Sequence, residues 1–191
     1  MQSATFFESL AALLPTENLK IAEEDMRPYE CDGLSMYRAL PKCVALPEDE
    51  AQLAAVMKLC HMHRIPVVAR GAGTGLSGGA MPSPDALLLS TAKMMNLISI
   101  DPLACTAVVQ PGFRNLAISE AVSQYGLYYA PDPSSQIACT IGGNVAENSG
   151  GVHCLKYGLT VHNIRKLRVV LMTGDIVEIG SDALDSPGYD L

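Results

Sequence analysis

The sequence predicts a mixed α+β chain, and three observations carry that expectation. Residues 43–89 read strand, helix, strand, glycine-rich loop, strand, which is the make-up of a small α/β unit. Two β-rich runs at 164–171 and 176–179 are joined by Thr173-Gly174-Asp175, a strong hairpin signal. Apolar residues make up 49% of the 191 and charged ones 17%, enough to bury a sizeable core.

The elements follow in order. An apolar stretch at 5–14, interrupted by Glu8 and preceded by no basic residue, reads as an amphipathic helix and not as a signal peptide. It opens a lead segment expected over 1–40, which continues as an irregular acidic stretch through Glu23-Glu24-Asp25 and an ordered strap around Pro28 and Gly33. Cys43-Val44-Ala45-Leu46 is a strand closed by Pro47. Glu48-Asp49-Glu50 then load the first turn of a helix, where carboxylates complement the dipole. Leu53, Val56, Met57 and Cys60 recur at i, i+3, i+4 and i+7, so that helix buries one face. Pro66 starts the next strand, and residues 86–89 form another, fully apolar one. Residues 106–110 make a strand ended by Pro111-Gly112. A helix over 115–125 follows, with Gly126 placed where a left-handed residue ends a helix at no steric cost. A short strand at 127–129 runs into Pro131-Asp132-Pro133-Ser134-Ser135.

Two glycine-rich regions carry the chemistry. The first is Arg70-Gly71-Ala72-Gly73-Thr74-Gly75-Leu76-Ser77-Gly78-Gly79. Glycine reaches φ > 0 freely and lets a ligand approach the backbone. Consecutive bare N–H groups in such turns form a concavity for anions, most often a diphosphate. No acid stands in the loop to repel the anion, and Arg70 at its mouth could attract it. Gly73-Thr74-Gly75-Leu76-Ser77-Gly78 also fits the dinucleotide pattern G-x-G-x-x-G, with Asp101 at a plausible distance. That pattern needs a helix opening at the glycines. Gly79-Ala80-Met81-Pro82-Ser83-Pro84 disfavours one, so the loop reads as a strand-to-strand phosphate cradle. A P-loop is excluded because no Lys-Ser or Lys-Thr follows the last glycine.

The second region runs Cys139-Thr140-Ile141-Gly142-Gly143-Asn144-Val145-Ala146-Glu147-Asn148-Ser149-Gly150-Gly151. Two cradles suggest an extended ligand gripped along its length. Asn144 and Asn148, four apart, could present amides on one face of a helical turn, and amides that both donate and accept suit a flavin ring edge. The alternative is that Gly142-Gly143 simply permit tight packing.

A net charge of −7 argues against nucleic acid as a partner. Lys156, Arg165, Lys166 and Arg168 read as a solvated edge. Cysteines at 31, 43, 60, 105, 139 and 154 show no C-x-x-C spacing and read as small buried hydrophobes in a reducing, cytoplasmic setting. Cys60, His61 and His63 lack the carboxylate or fourth ligand of a zinc site. His153-Cys154 with His162 lacks an orienting acid at a known spacing. Tyr125, Tyr128 and Tyr129 read as packing residues.

Taken together, Arg70–Gly79, Pro131–Ser135, Ile141–Asn148 and Lys156-Tyr157-Gly158 closely resemble the FAD-binding (D-type) subunits of bacterial glycolate oxidases. Those belong to the vanillyl-alcohol oxidase and p-cresol methylhydroxylase (PCMH) flavoprotein superfamily, and D-lactate and D-2-hydroxyglutarate dehydrogenases share the layout. The resemblance runs from about residue 29 to 191. It implies a PCMH-type FAD-binding domain over 41–191, with one α/β subdomain at about 41–100 and a second, mostly antiparallel, at about 101–191. It implies that Gly71, Ala72, Gly73, Thr74, Gly75, Gly78 and Gly79 bind the diphosphate. Pro131, Asp132, Ala138, Cys139, Gly142, Gly143, Asn144, Asn148, Gly150 and Gly151 would line the flavin and ribityl chain, and Ile176 would face the adenine side. The implied chemistry is oxidation of a 2-hydroxy acid, with hydride passing from C2 to flavin N5. Some relatives attach flavin through a histidine in the glycine loop; Thr74 stands at that position here, so FAD is expected to be non-covalent. Relatives continue past the equivalent of Pro187-Gly188-Tyr189-Asp190-Leu191 into further structure and a substrate domain. The chain is therefore expected to be a truncated, N-terminal portion without catalytic residues of its own. Iron–sulfur and companion subunits are the implied partners, and through them association with the inner membrane.

Overall fold

A computed structural model describes residues 2–181, with side chains from Thr5 onward. The expected ending at Pro187–Leu191 lies outside the described residues. The chain divides into two compact units, one of residues up to 93 with 168–177, the other of 94–167 with the residues from 178 on.

The first unit contains α1 (Gln2–Leu13), β1 (Leu19–Lys20), α2 (Glu23–Met26), β2 (Cys43–Ala45), α3 (Glu50–His63), β3 (Val67–Arg70) and β4 (Leu87–Ser90). Its sheet is ordered β1-β2-β4-β3, with β2, β4 and β3 parallel and β1 antiparallel at the edge. Strand β2, and β4 up to its final Ser90, are apolar because both their faces are covered. Side chains alternate along a strand, and the two faces find different partners. Cys43, Ala45, Leu87 and Leu89 pack with Phe6, Leu10 and Leu14 and with Val56, Leu59 and Cys60 of α3. Val44 and Leu88 pack with Met26, Leu46, Tyr29 and Leu40 on the other side. Phe6 and Leu10 are fully buried, and each such side chain contributes about 1.5–3 kcal/mol by leaving water. The acidic stretch expected to be irregular forms α2, whose first turn carries Glu23, Glu24 and Asp25.

Helix α3 begins where the Asp49 carboxylate accepts the Gln52 N–H at 2.8 Å and ends where Arg64 turns left-handed, φ 53°. Its expected buried face holds: Val56 and Cys60 are fully buried, and Leu53 and Met57 pack against the core. Between the parallel neighbours β3 and β4 lie residues 71–86, a crossover with no helix in it. The glycine loop therefore joins strand to strand. The dinucleotide pattern fails on this point, because no helix opens at Gly78.

The second unit contains β5 (Leu97–Asp101), β6 (Thr106–Val109), α4 (Asn115–Val122), α5 (Ile141–Glu147) and α6 (Cys154–Tyr157). Strands β5 and β6 form an antiparallel pair. The chain reverses between them with Cys105 at φ 52° while the Asp101 carboxylate accepts the N–H groups of Leu103 and Ala104, each at 3.0 Å. Helix α4 continues as a 3₁₀ turn over Ser123–Tyr125 and ends at Gly126, φ 70°, as expected. The strand expected at 127–129 is absent. Tyr129 N–H instead donates to Ser119 Oγ of α4 at 2.9 Å, so a side chain holds that segment in place of a partner strand. The apolar core here is small, Met94, Ile118, Val122, Cys139 and Ile141, and it is joined by buried Asn115, Thr140, Asn144 and Thr160.

Strands β7 (Lys166–Val170) and β8 (Ile176–Gly180) make the expected two-stranded hairpin. Its tip belongs to the first unit. Gly174 turns there at φ 84°, and a Cβ on it would lie 2.7 Å from Ala54 O and 2.8 Å from Lys58 Cβ of α3. Arg168 grips Glu50 with two hydrogen bonds, at 2.6 and 2.8 Å. The fold class is α+β, as the sequence predicts.

Candidate functional site

The first glycine loop is defined by what its backbone does not do. Among the described residues, no N–H from Gly71 to Ala80 donates a hydrogen bond within the chain. Polar backbone groups are ordinarily satisfied, so a run of free donors in one loop is a concentrated positive lining. Gly73 and Gly78 sit at φ 70° and 78°, where a side chain would be strained. Gly71, Gly73, Thr74, Gly75 and Gly78 are half-buried, and Ala72 and Gly79 are exposed.

A floor of earlier residues holds this loop. A Cβ on Gly33 would lie 2.7 Å from Gly75 O and 2.8 Å from Thr74 O, so the strap presses its backbone against the loop. Arg70 Nη1 donates to Cys31 O at 2.6 Å, and its guanidinium carbon stands 5.8 Å from the Tyr29 ring centroid. A Cβ on Gly73 would collide with that guanidinium. Burial lowers the Arg70 pKa from the usual guanidinium range, against the opposing pull of Cys31, Asp32 and Tyr29. Arg70 thus braces the loop from beneath. Ile176, 40% exposed, starts β8.

In the second unit most of the glycine-rich region is a capped helix over Ile141–Glu147, and bare amides return only at Gly150 and Gly151. The Thr140 hydroxyl caps α5 by accepting the Gly143 N–H at 3.4 Å, and the Gly142 N–H donates to Pro111 O at 2.9 Å. A Cβ on Gly142 would lie 2.8 Å from Pro111 Cβ, so that glycine serves close packing. The two asparagines do different work. Asn148 leaves the helix at φ 47°, and its Oδ1 accepts the Val161 N–H at 3.0 Å. Asn144 is buried in a polar network with Asn115, whose Nδ2 donates to Asn144 Oδ1 at 2.9 Å and to Pro131 O at 3.1 Å. Asn144 Nδ2 in turn donates to Cys139 Sγ at 3.3 Å, and the Asn115 N–H donates to Cys139 O at 3.0 Å. One side chain, Asn115, therefore fixes Pro131 and Asn144 directly and Cys139 through its backbone.

Asn115 is an anchor of the candidate site that the sequence reading does not single out. Its signal was a polar residue at i of an apolar stripe completed by Ile118 and Val122, both buried. A buried network of this kind specifies one arrangement when every member is satisfied.

The remaining candidates gather around Asp132. Its carboxylate accepts the His153 N–H at 3.2 Å and the His153 ring Nδ1 at 2.6 Å. The first and largest cause holding Asp132 below the usual carboxylate range is that ring bond. Gly151 lies so close to Asp132 that a Cβ would strike its carbonyl. Gly150 and Gly151 are half-buried with unengaged N–H groups, and Ala138 is exposed. Pro131, Asp132, Cys139, Gly142, Asn144 and Gly151 are thus linked through Asn115, Pro111 and His153 or to one another. Gly143 is held by Thr140 and Gly150 by Leu159 and Cys154, while Asn148 and Ala138 stand at the margin. Among the described residues no group of three or more His, Cys, Asp or Glu is placed to hold a metal ion, and all six cysteines are free thiols.

Comparison with known proteins bears on this arrangement. The profile of the FAD binding domain family matches residues 41–180. The chain is 60% identical to the glycolate oxidase subunit GlcD of Escherichia coli strain K12 over 169 residues, 88% of this chain and 34% of that protein. It is 35% identical to a D-lactate dehydrogenase of Anaerostipes hadrus, covering 90% of this chain and 36% of that one. It thus spans about a third of the length of these relatives. A crystal structure of p-cresol methylhydroxylase with substrate bound superposes with a TM-score of 0.78 at 23% identity, over 94% of this chain and 35% of that one, a likeness of fold. The PCMH-type architecture expected from the motifs is therefore present, and the chain belongs to the family of FAD binding domains.

Proposed function

We propose that this chain is the FAD-binding portion of a 2-hydroxy-acid oxidoreductase of the glycolate oxidase type. The observation that carries the reading is the run of free N–H groups from Gly71 to Ala80, in a loop without an acidic side chain, which fits the diphosphate of FAD. Gly71, Ala72, Gly73, Thr74, Gly75, Gly78 and Gly79 hold the phosphates by their backbone. Pro131, Asp132, Cys139, Gly142, Gly143, Asn144, Gly150 and Gly151, with Ala138 and Asn148 at the margin, meet the flavin and its ribityl chain, and Ile176 lies on the adenine side. Bound FAD supplies the hydride acceptor for the C2–H bond of the acid; the chain supplies position and electrostatics. Asn115 keeps the flavin-side segments in register. Thr74 cannot form the histidyl link some relatives use, so the flavin is dissociable.

The glycolate oxidase relative at 60% identity supports glycolate as the acid; the D-lactate dehydrogenase relative supports D-lactate as the second reading. A relative that is a subunit supports partner chains for this one; iron–sulfur proteins as those partners, and a cytoplasmic enzyme drawn to the inner membrane through them, complete the proposal.

The test is direct. The protein, together with whatever chain follows it in the intact enzyme, is purified yellow and mixed anaerobically with glycolate or D-lactate. Bleaching near the flavin band supports the reading, and the faster acid names the substrate. FAD bound without bleaching by either acid points to a non-catalytic nucleotide-binding module. Acid precipitation must leave the colour in the supernatant; colour in the pellet contradicts a dissociable flavin.

A further inference from the structure

Lys156-Tyr157-Gly158 helps to carry the family resemblance, yet nothing above gives it work. It stands in the second unit within a cluster of polar side chains. The His153 ring lies 6.5 Å from the Tyr157 ring. Tyr157 and Tyr128 meet edge to face at 6.0 Å and 85°, and Lys156 Nζ is 4.8 Å from the Tyr157 ring centroid. Gly158 shapes the end of this short segment at φ 77°, where a Cβ would press within 2.7 Å of the His162 ring.

The donors in this cluster outnumber its free acceptors. The acid, Asp132, has both oxygens engaged by His153, one on the ring and one on the backbone N–H. A carboxylate accepts, so Nδ1 carries the proton and Nε2 is the ring nitrogen left over. Lys166 and Arg168 are matched to Glu178 and Glu50. Lys156, among the described residues, has no carboxylate within salt-bridge reach, and its ammonium rests against a phenol ring. Tyr128 is 60% exposed, and Lys156 and His153 are exposed as well. Next to them the N–H groups of Gly150, Gly151 and Val152 donate to nothing within the described chain. An ammonium, the Tyr157 hydroxyl and bare amides are a donor-rich set, complementary to a small anion with two oxygens.

We propose that Lys156 and Tyr157, the latter braced edge to face by Tyr128 and beside a His153 held in place by Asp132, form a recognition face for a small carboxylate, the acid group of the 2-hydroxy acid. Identifying that carboxylate as the substrate's rests on the function proposed above; the face itself does not. Lys156 supplies the charge, the Tyr157 hydroxyl supplies a directed hydrogen bond, and the Asp132–His153 clasp turns the lone pairs of that carboxylate toward His153. The step is binding alone, with no bond made or broken.

The probe is oxalate, a carboxylate with no C–H to oxidise, titrated calorimetrically into the FAD-loaded chain. Wild type binds it. Lys156→Met and Tyr157→Phe each weaken binding about tenfold, the scale of one hydrogen bond to a charged group, and Lys156→Arg retains most of it. The FAD dissociation constant of every variant stays at the wild-type value. Lys156 is exposed, so the unfolding midpoint of its variants also stays put. Inorganic phosphate is the second arm, since the same donors could meet a phosphate of the dinucleotide. The proposal is overturned if wild type binds no oxalate, if Lys156→Met binds it as well as wild type, or if that variant loses FAD and not oxalate. Lysine-dependent oxalate binding without bleaching by glycolate or D-lactate keeps the face and removes the oxidoreductase reading.

Discussion

Replacing Asn115 with alanine strikes the point on which the flavin-side segments converge. Asn115 is 2% exposed, and its Nδ2 supplies the donors to Pro131 O and Asn144 Oδ1, at 3.1 and 2.9 Å. Truncation leaves both acceptors buried. Pro131 O has no replacement donor, and Asn144 Oδ1 keeps only the weak Cys139 Sγ contact at 3.7 Å. A stranded buried acceptor costs about 1–3 kcal/mol, and with Asn144 Oδ1 still partly held by Cys139 Sγ the pair amounts to about 2–4 kcal/mol. For a chain of this length that lowers the thermal midpoint by about 5–15 °C. The segments 131–133 and 139–148 lose their common anchor, so FAD affinity falls by at least about tenfold, or about 1.4 kcal/mol. Denaturant unfolding followed by tyrosine emission, in a protein without tryptophan, gives the first quantity, and flavin fluorescence titration gives the second. Asn115→Asp keeps the shape but turns an oxygen toward two acceptors, and it is expected to be worse than alanine. A loss under about 0.5 kcal/mol with unchanged FAD affinity would show that the network does not organise this side of the site.

Three further outcomes follow from the geometry. Gly73→Ala puts a methyl into the Arg70 guanidinium at φ 70°, whereas Gly78→Ala at φ 78° meets nothing within 4 Å; the first is expected to weaken FAD binding well beyond the second, whose cost is the left-handed backbone alone, about 1–2 kcal/mol, and equal losses would refute the Arg70 brace. In an ultraviolet pH titration Tyr157 ionises below the ordinary tyrosine range, because Tyr128 and then Lys156 hydrogen-bond to its phenolate; burial pushes Tyr129 up to about 12, so it ionises last, and Tyr128→Phe moves the early step upward. Burial also raises Cys43 to about 12 and Cys60 to about 11, so neither forms thiolate at neutral pH, and a thiol reagent labels exposed Cys105 first with Cys43 and Cys60 silent until unfolding.

The parts of the fold legible in the sequence were those where one local rule decided the outcome. Leu53, Val56, Met57 and Cys60 announced α3 because the helix lies against a single core and its period survives in the sequence. The apolar runs at β2 and β4 announced strands covered on both faces. Prolines 82 and 84 excluded a helix after the glycine loop. What was illegible depended on distant partners. Strand β5 went unseen because its reversal uses Pro102-Leu103-Ala104-Cys105, with Cys105 in the left-handed position that Gly or Asn would have advertised. The sequence at 127–129 looked like a strand, but Ser119 on α4 claims its backbone.

The candidate site divides along the same line. Bare amides at 71–80 could be foreseen, since glycine spacing acts locally. The second glycine region could not, since Gly142 answers to Pro111 and Asn144 to Asn115, both about thirty residues earlier. Gly142 and Asn144, expected to line the flavin, also tie distant segments of the chain together, and those partners leave no mark in the local sequence.

Hydrogen exchange across residues 71–80, measured with and without FAD, reaches the central claim most directly. The free amides of that loop are expected to exchange at nearly the rate of an unstructured peptide in the absence of nucleotide and to become strongly protected once FAD binds, with one FAD per chain. A loop already protected without FAD, or one left unprotected at saturating FAD, would contradict a phosphate cradle built from those amides.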